Sequence, residues 1–190
     1  MTEEKVMTAE ERKVRDVKFT IIFDEYHPLI STFLRSKITN EIAREEIIHK
    51  SFMKILEHLE SYDISKGKLN TWIYTIVNRK VIDYFREVNR DKEINKSDFV
   101  NAEGEEAFDF VAEDSANSEI ENSELHRKIR KAMRNLKPVE KNIAILRFVK
   151  EFDYKEIAVI LELPLNTVKV TILRAKEKLQ ESLKYEYASL

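Results

Sequence analysis

The sequence predicts an all-α protein: two small helical domains joined by a flexible acidic linker, the C-terminal one containing a helix-turn-helix. Three observations lead there. The 190 residues include only 2 Gly and 3 Pro, too little punctuation for a turn-rich sheet protein. Apolar residues recur at steps of three and four through both ends of the chain, the spacing of helices with one buried face. Between those ends, over residues 89–122, the pattern fades into acidic and small residues, which bury too little apolar surface to order themselves.

The first segment, residues 9–38, reads as a helix interrupted near His27-Pro28 and then resumed, because proline removes a ladder donor. Val14, Val17, Phe19, Ile22, Phe23 and Tyr26 supply core contacts before the proline, and Leu29, Ile30, Phe33 and Leu34 supply them after it. A second helix over residues 40–61 places Ile47, Ile48, Ser51, Phe52, Ile55, Leu56 and Leu59 on one face. Its outer face presents Glu46, His49, Lys50 and Met53. Residues 61–68 contain Gly67 and break the periodicity, so they read as a loop. A third helix over residues 70–87 carries Trp72, Tyr74, Asn78, Arg79, Lys80, Asp83 and Arg86 among its apolar positions.

Beyond the linker, Leu125, Ile129, Ala132, Met133 and Leu136 share one stripe, and Pro138 opens the next helix where its missing N–H costs little. Asp153 then caps a short helix, residues 154–161, with Glu156 closing a capping box. The run Glu162-Leu163-Pro164 makes a turn, since proline cannot continue the helix and biases Leu163 away from helical geometry. A second helix starts near Asn166 or Thr167, both good caps. Val168, Ile172, Ala175 and Leu179 form its buried stripe. Thr167, Val170, Thr171, Arg174 and Lys178 remain on the wet side, flanked by Lys169 and Lys176. Two short helices joined in this way make a helix-turn-helix, whose second helix enters a DNA major groove.

Charge supports that reading. The formal net charge is −2, but residues 89–125 carry 3 basic and 12 acidic side chains while residues 126–184 carry 15 basic and 7 acidic. A basic C-terminal domain beside an acidic connector suits a nucleic-acid binder. The N-terminus has no apolar run of signal-peptide length, and no stretch approaches the roughly 20 apolar residues of a membrane span, so a cytoplasmic location is expected. The absence of cysteine excludes disulfides and thiolate metal sites. His27, His49, His58 and His126 lack metal-ligand spacing. No glycine-rich phosphate loop and no catalytic constellation is evident; neither enzymatic activity nor a cofactor or metal is expected.

The run Leu136-Lys137-Pro138, Leu146-Arg147-Phe148, Tyr154-Lys155-Glu156-Ile157-Ala158, Leu163-Pro164, Thr167-Val168-Lys169 and Arg174-Ala175 resembles the C-terminal domain of extracytoplasmic-function sigma factors, the small promoter-recognition subunits of bacterial RNA polymerase. Val170 and Thr171 stand where that family usually has Ser-Arg. In the second helix, Glu46, His49 and Phe52 resemble the family's acidic, Gln and Phe pattern, with His in place of Gln. The third helix resembles the run from Trp-Leu through Arg-Asn to Asp and Arg, with Asn78-Arg79 in reverse order.

The resemblance implies a division of labour. Residues 9–88 correspond to the domain that docks on core polymerase and melts the minus-ten element, residues 89–122 to a linker, and residues 123–184 to the domain that reads the minus-thirty-five element. It implies polymerase contacts at Glu46, His49, Lys50 and Met53, with Phe52 in the core. Minus-ten contacts fall on the loop residues Tyr62, Ile64, Lys66 and Lys68 and on Trp72, Asn78, Arg79, Lys80 and Arg86. Arg79 and Asp83 have the spacing of an i,i+4 pair, which would leave Asn78, Lys80 and Arg86 toward DNA. Minus-thirty-five contacts fall on Lys155, Asn166, Thr167, Lys169, Val170, Thr171, Arg174 and Lys178. The partners implied are core RNA polymerase, promoter DNA and an anti-sigma factor, and the free chain is expected to be a monomer. The alternative is a stand-alone helix-turn-helix regulator, but no dimerising heptad seam is evident.

Overall fold

The computed structural model describes residues 8–91, 129 and 131–188. Among the described residues the main helices are α1 (Ala9–Arg35), α2 (Glu41–His58), α3 (Leu69–Asp91), α4 (Pro138–Ala144), α5 (Tyr154–Leu161) and α6 (Leu165–Ala188), with residues 131–134 also helical. Most of the expected linker, with Leu125, lies outside the described residues; residues 89–91, expected to begin that linker, continue α3.

Thr8 caps α1 by accepting from the Glu11 amide at 3.2 Å, while the Glu11 carboxylate accepts from the Thr8 amide at 2.8 Å. The expected break at His27-Pro28 does not occur: α1 runs through Pro28 to Arg35. Local chemistry disfavours that continuity, but Ile22 and Tyr26 before the proline and Ile30, Phe33 and Leu34 after it are all buried. The same core therefore holds both halves of the helix in line. Val14, Val17 and Phe23, expected in the core, are exposed instead, so the first half of α1 lies over solvent.

Helix α2 starts at the Asn40 cap, whose side chain accepts from the Ala43 amide at 3.1 Å. It packs against α1 and α3 through Ile47, Ile48, Phe52 and Ile55, with Phe52 against the rings of Phe19 and Phe23. A 3₁₀ turn, Leu59–Ser61, ends it.

In the C-terminal half, Glu140 in the first turn of α4 accepts from the Lys137 amide at 2.9 Å, behind Pro138 at the helix start. The helix widens into a π-helical turn, Ile145–Val149, closed by the Lys150 amide donating to the Ile145 carbonyl at 3.0 Å. Glu151 is left-handed with φ 58° and turns the chain into α5. Met133 and Leu136 are buried with Ala144, Ile145 and Ala175 in a small cluster.

The larger cluster crosses between the two halves. Ile73, Tyr74, Val77 and Val81 of α3 belong to the same buried group as Ile143, Leu146, Phe152, Ile157, Ile160, Val168 and Ile172. Tyr74 is the link in that packing, edge-on to Phe33 on one side and to Phe152 on the other, each at 5.1 Å between ring centres. The two helical units thus share one apolar core.

Candidate nucleic-acid interface

Asp153 and Glu156 form the expected capping box of α5: the Glu156 amide donates to the Asp153 carboxylate and the Asp153 amide to the Glu156 carboxylate, both at 2.8 Å. The turn that follows depends on Glu162 as well as on Pro164. Glu162 adopts φ 54°, the left-handed conformation that ends many helices, and the Leu163 amide then donates back to the Ala158 carbonyl at 3.0 Å. Helix α6 begins at Leu165, slightly before the expected Asn166 or Thr167, because the Pro164 carbonyl already accepts the Val168 amide at 3.1 Å.

Val168, Ile172 and Ala175 are buried and Leu179 is half-buried, as the stripe requires. The opposite face presents Asn166, Thr167, Lys169, Val170, Arg174 and Lys176 to solvent, with Lys155 exposed on α5. Leu173 stands exposed on the same face and was not among the expected contacts; its position on the helical wheel, beside Val170 and Arg174, is the signal that locates it. Thr171 is half-buried on the flank. Lys178 is not free for phosphate, because its ammonium donates to both Glu140 oxygens at 2.7 and 2.9 Å and ties α6 to α4.

On α2, Glu46, His49, Lys50 and Met53 all face solvent. Glu46 and Lys50 pair at 2.7 Å one turn apart, which raises the Lys50 pKa. Ile42, four residues before Glu46, heads the same ridge and is also exposed, an apolar side chain not among the expected residues. Between this helix and α3 runs a cleft of about 340 Å³ lined by Glu46, Lys50, Lys80, Asp83, Arg86 and their neighbours.

The loop before α3 is braced from within. The Asp63 carboxylate accepts from the Ser65 amide at 2.9 Å and the Ser65 hydroxyl at 2.7 Å. The Tyr62 hydroxyl donates to the Gly67 carbonyl at 3.0 Å, and the Tyr62 ring packs on Trp72 with centres 5.2 Å apart. Ile64 and Lys66 project outward, Lys66 lying 4.0 Å from Asp63.

Three of the expected minus-ten residues, Asn78, Arg79 and Lys68, are engaged by the C-terminal unit. Asn78 is buried, and its amide donates to the Ile160 carbonyl of α5 at 3.0 Å. Arg79 does not pair with Asp83; its guanidinium donates to Glu162 at 2.8 Å, and Asp83 faces Lys80 at 3.9 Å and Arg86 at 3.5 Å. Lys68 meets Glu156 at 3.0 Å, as does the Thr71 hydroxyl. The helix-turn-helix therefore covers the part of α3 around Asn78 and Arg79 that the resemblance assigns to DNA, while Lys80 and Arg86 line the cleft toward α2.

Glu156 holds that contact in a pH-dependent way. Burial pushes its carboxyl up, but the Asp153 amide, Lys68 and Thr71 outweigh burial and hold it below the usual carboxylate range. A carboxyl lowered on folding stabilises the folded form above its unfolded pKa, near 4.3, and that contribution is lost as pH falls through the folded value. Urea unfolding at pH 6 and pH 4 is expected to give a smaller loss of stability on acidification for Glu156→Gln than for the wild type. Equal losses in both proteins would remove Glu156 from the pH response.

Comparison with known proteins identifies the family. Residues 22–91 match the family model Sigma-70 region 2, and residues 126–179 match Sigma-70, region 4. The chain is 25% identical over 181 residues to the ECF RNA polymerase sigma factor SigW of Bacillus subtilis (strain 168), covering 91% of this chain and 96% of that protein. It is 24% identical over 159 residues to the ECF RNA polymerase sigma factor SigM of the same organism, covering 84% and 91%. Its fold is similar to that of the sigma factor RpoE solved with the anti-sigma factor NepR from Bartonella quintana, with a TM-score of 0.64 at 22% identity over 88% of this chain and 97% of that one. Two family regions in order, each falling on one of the helical units built above, and relatives aligned along almost their whole length lead to one conclusion: the chain belongs to the sigma-70 family, as an RNA polymerase sigma factor of the extracytoplasmic-function type.

Proposed function

We propose that this sigma factor docks on core RNA polymerase through the α2 ridge of Glu46, His49, Lys50 and Met53, extended by Ile42. The loop residues Tyr62, Ile64, Lys66 and Lys68, with Trp72, Asn78, Arg79, Lys80 and Arg86 on α3, engage the minus-ten element. Helix α6 reads the minus-thirty-five element with Asn166, Thr167, Val170, Thr171 and Arg174, while Lys155 and Lys169 meet phosphates; Lys178 joins them only where its pair with Glu140 opens. The observation that carries this reading is that one chain presents an open, basic and hydrogen-bonding α6 face together with a separate solvent-facing ridge on α2. A stand-alone regulator would leave that second surface without a use.

The protein acts in the cytoplasm as an initiation factor rather than as an enzyme, needs no cofactor of its own and is monomeric when free. By likeness to RpoE, which was solved with the anti-sigma factor NepR, an anti-sigma factor is proposed as a further partner. Reconstituted transcription tests the reading: core polymerase is expected to initiate at defined start sites only when the chain is added, and tight DNA binding without polymerase association would favour the stand-alone regulator instead.

Arg174 and Lys169 separate the two kinds of contact. Arg174→Ala is expected to cost about 1–3 kcal/mol on promoters with a guanine at one minus-thirty-five position and little on promoters without it. Lys169→Ala is expected to weaken binding about equally on all sequences and to reduce the salt slope by about 1. A uniform loss for Arg174→Ala would make it a phosphate contact.

A further inference from the structure

The outward face of α6 contains two aliphatic side chains in an otherwise polar surface. Val170 is 47% exposed and Leu173 is 58% exposed. They lie opposite the buried stripe of Val168, Ile172 and Ala175, between Asn166 and Thr167 on one side and Arg174 on the other. Neither contributes to the protein's core, and the helix-turn-helix contact with α3 runs through α5, which leaves both uncovered. Lys169, Arg174 and Lys176 surround the pair and outnumber the one acid on that face, Glu177, so the surface suits an anionic partner, and an apolar partner helix would seek a longer stripe without them.

The major groove presents hydrogen-bonding groups on every base pair but only one apolar group, the 5-methyl of thymine. Two exposed aliphatic side chains in the first half of a reading helix therefore have one complementary feature there. Residues three apart on a helix are separated by about 4.5 Å along its axis, close to the 3.4 Å step between bases on a strand. One helix face can thus meet methyls on neighbouring base pairs, while Arg174 and Asn166 reach a guanine or an adenine on either side.

We infer that Val170 and Leu173 read thymine methyl groups at adjacent positions of the minus-thirty-five element, giving this chain a requirement for thymine there. The inference rests on the reading of α6 as the minus-thirty-five helix.

The experiment uses the chain assembled with core polymerase. Binding sites are selected from a random duplex pool, and each thymine of the selected element is then replaced by deoxyuridine, which deletes only the methyl. Each critical replacement is expected to weaken wild-type binding by about fourfold, the worth of one buried methyl. Val170→Ala is expected to become insensitive at one thymine and Leu173→Ala at its neighbour, with the remaining sensitivity intact in each. Because both side chains are exposed, the variants are expected to keep the wild-type thermal midpoint, which a melt checks.

A selected element whose thymines tolerate deoxyuridine, or variants as sensitive as the wild type, would overturn the inference while leaving the sigma reading standing. Variants that bind DNA like the wild type but lose a protein partner would reassign the pair to that partner. A selection that yields no polymerase-dependent element would sink the underlying reading and this inference with it.

Discussion

Glu46→Arg combined with His49→Ala is expected to abolish stable association with core RNA polymerase. The two residues lie one turn apart on the exposed ridge of α2, so the change replaces an acid with a base at the centre of the proposed docking face. Like charges brought together at an interface cost several kcal/mol, and about 3 kcal/mol is more than a hundredfold in affinity. The fold should be unaffected, since Glu46 is exposed and its pair with Lys50 is a surface pair of the kind worth at most about 1 kcal/mol. Co-sedimentation or fluorescence anisotropy with purified core polymerase measures the loss. Arg174→Ala is the control, because it should reduce promoter affinity and leave core binding intact. Undiminished core binding in the double variant would remove α2 from the docking surface.

The second large effect concerns the core. Ile160→Ala removes a side chain that is 0% exposed, on the residue whose carbonyl receives Asn78. Truncating a buried isoleucine costs about 2–5 kcal/mol, the range reflecting how far the site collapses. The wider expectation is that the loss is felt in both halves, because Ile160 belongs to a cluster that also holds Ile73 and Val77 of α3. Urea unfolding followed by far-UV circular dichroism reports all helices, and emission from the sole tryptophan, Trp72, reports the N-terminal unit. Both midpoints should fall together. A Trp72 midpoint that stays in place while part of the dichroism signal shifts would mean that the two units unfold independently.

Features set by near neighbours were legible in the sequence. The bounds of α5, the capping pair Asp153 and Glu156, and the stripe of Val168, Ile172 and Ala175 all follow from residues within a turn or two of each other. The family assignment was legible for the same reason, since the motifs that carry it lie within single helices. Pro28 misled because the rule for proline is local, while burial of Ile22, Tyr26, Ile30 and Phe33 on either side of it is tertiary. The fates of Asn78 and Arg79 were out of reach for the same reason: their partners, the Ile160 carbonyl and Glu162, lie 82 and 83 residues further along. Lys178 was lost to Glu140 across 38 residues. Ile42 and Leu173 differ, since a helical wheel places both on the proposed faces.

The shared core has a thermodynamic consequence. Under the proposed mode of action, promoter DNA takes the α3 face that α5 now covers, so only molecules in which the two have parted are competent. The apparent dissociation constant is then the intrinsic one divided by the competent fraction. Every substitution that tightens the Tyr74–Phe152 packing or the Arg79–Glu162 pair lowers that fraction without touching a base. The output of every promoter under this factor would scale together with the strength of a contact that none of them includes, which makes the seam between α3 and α5 a single gain control for the whole set of genes.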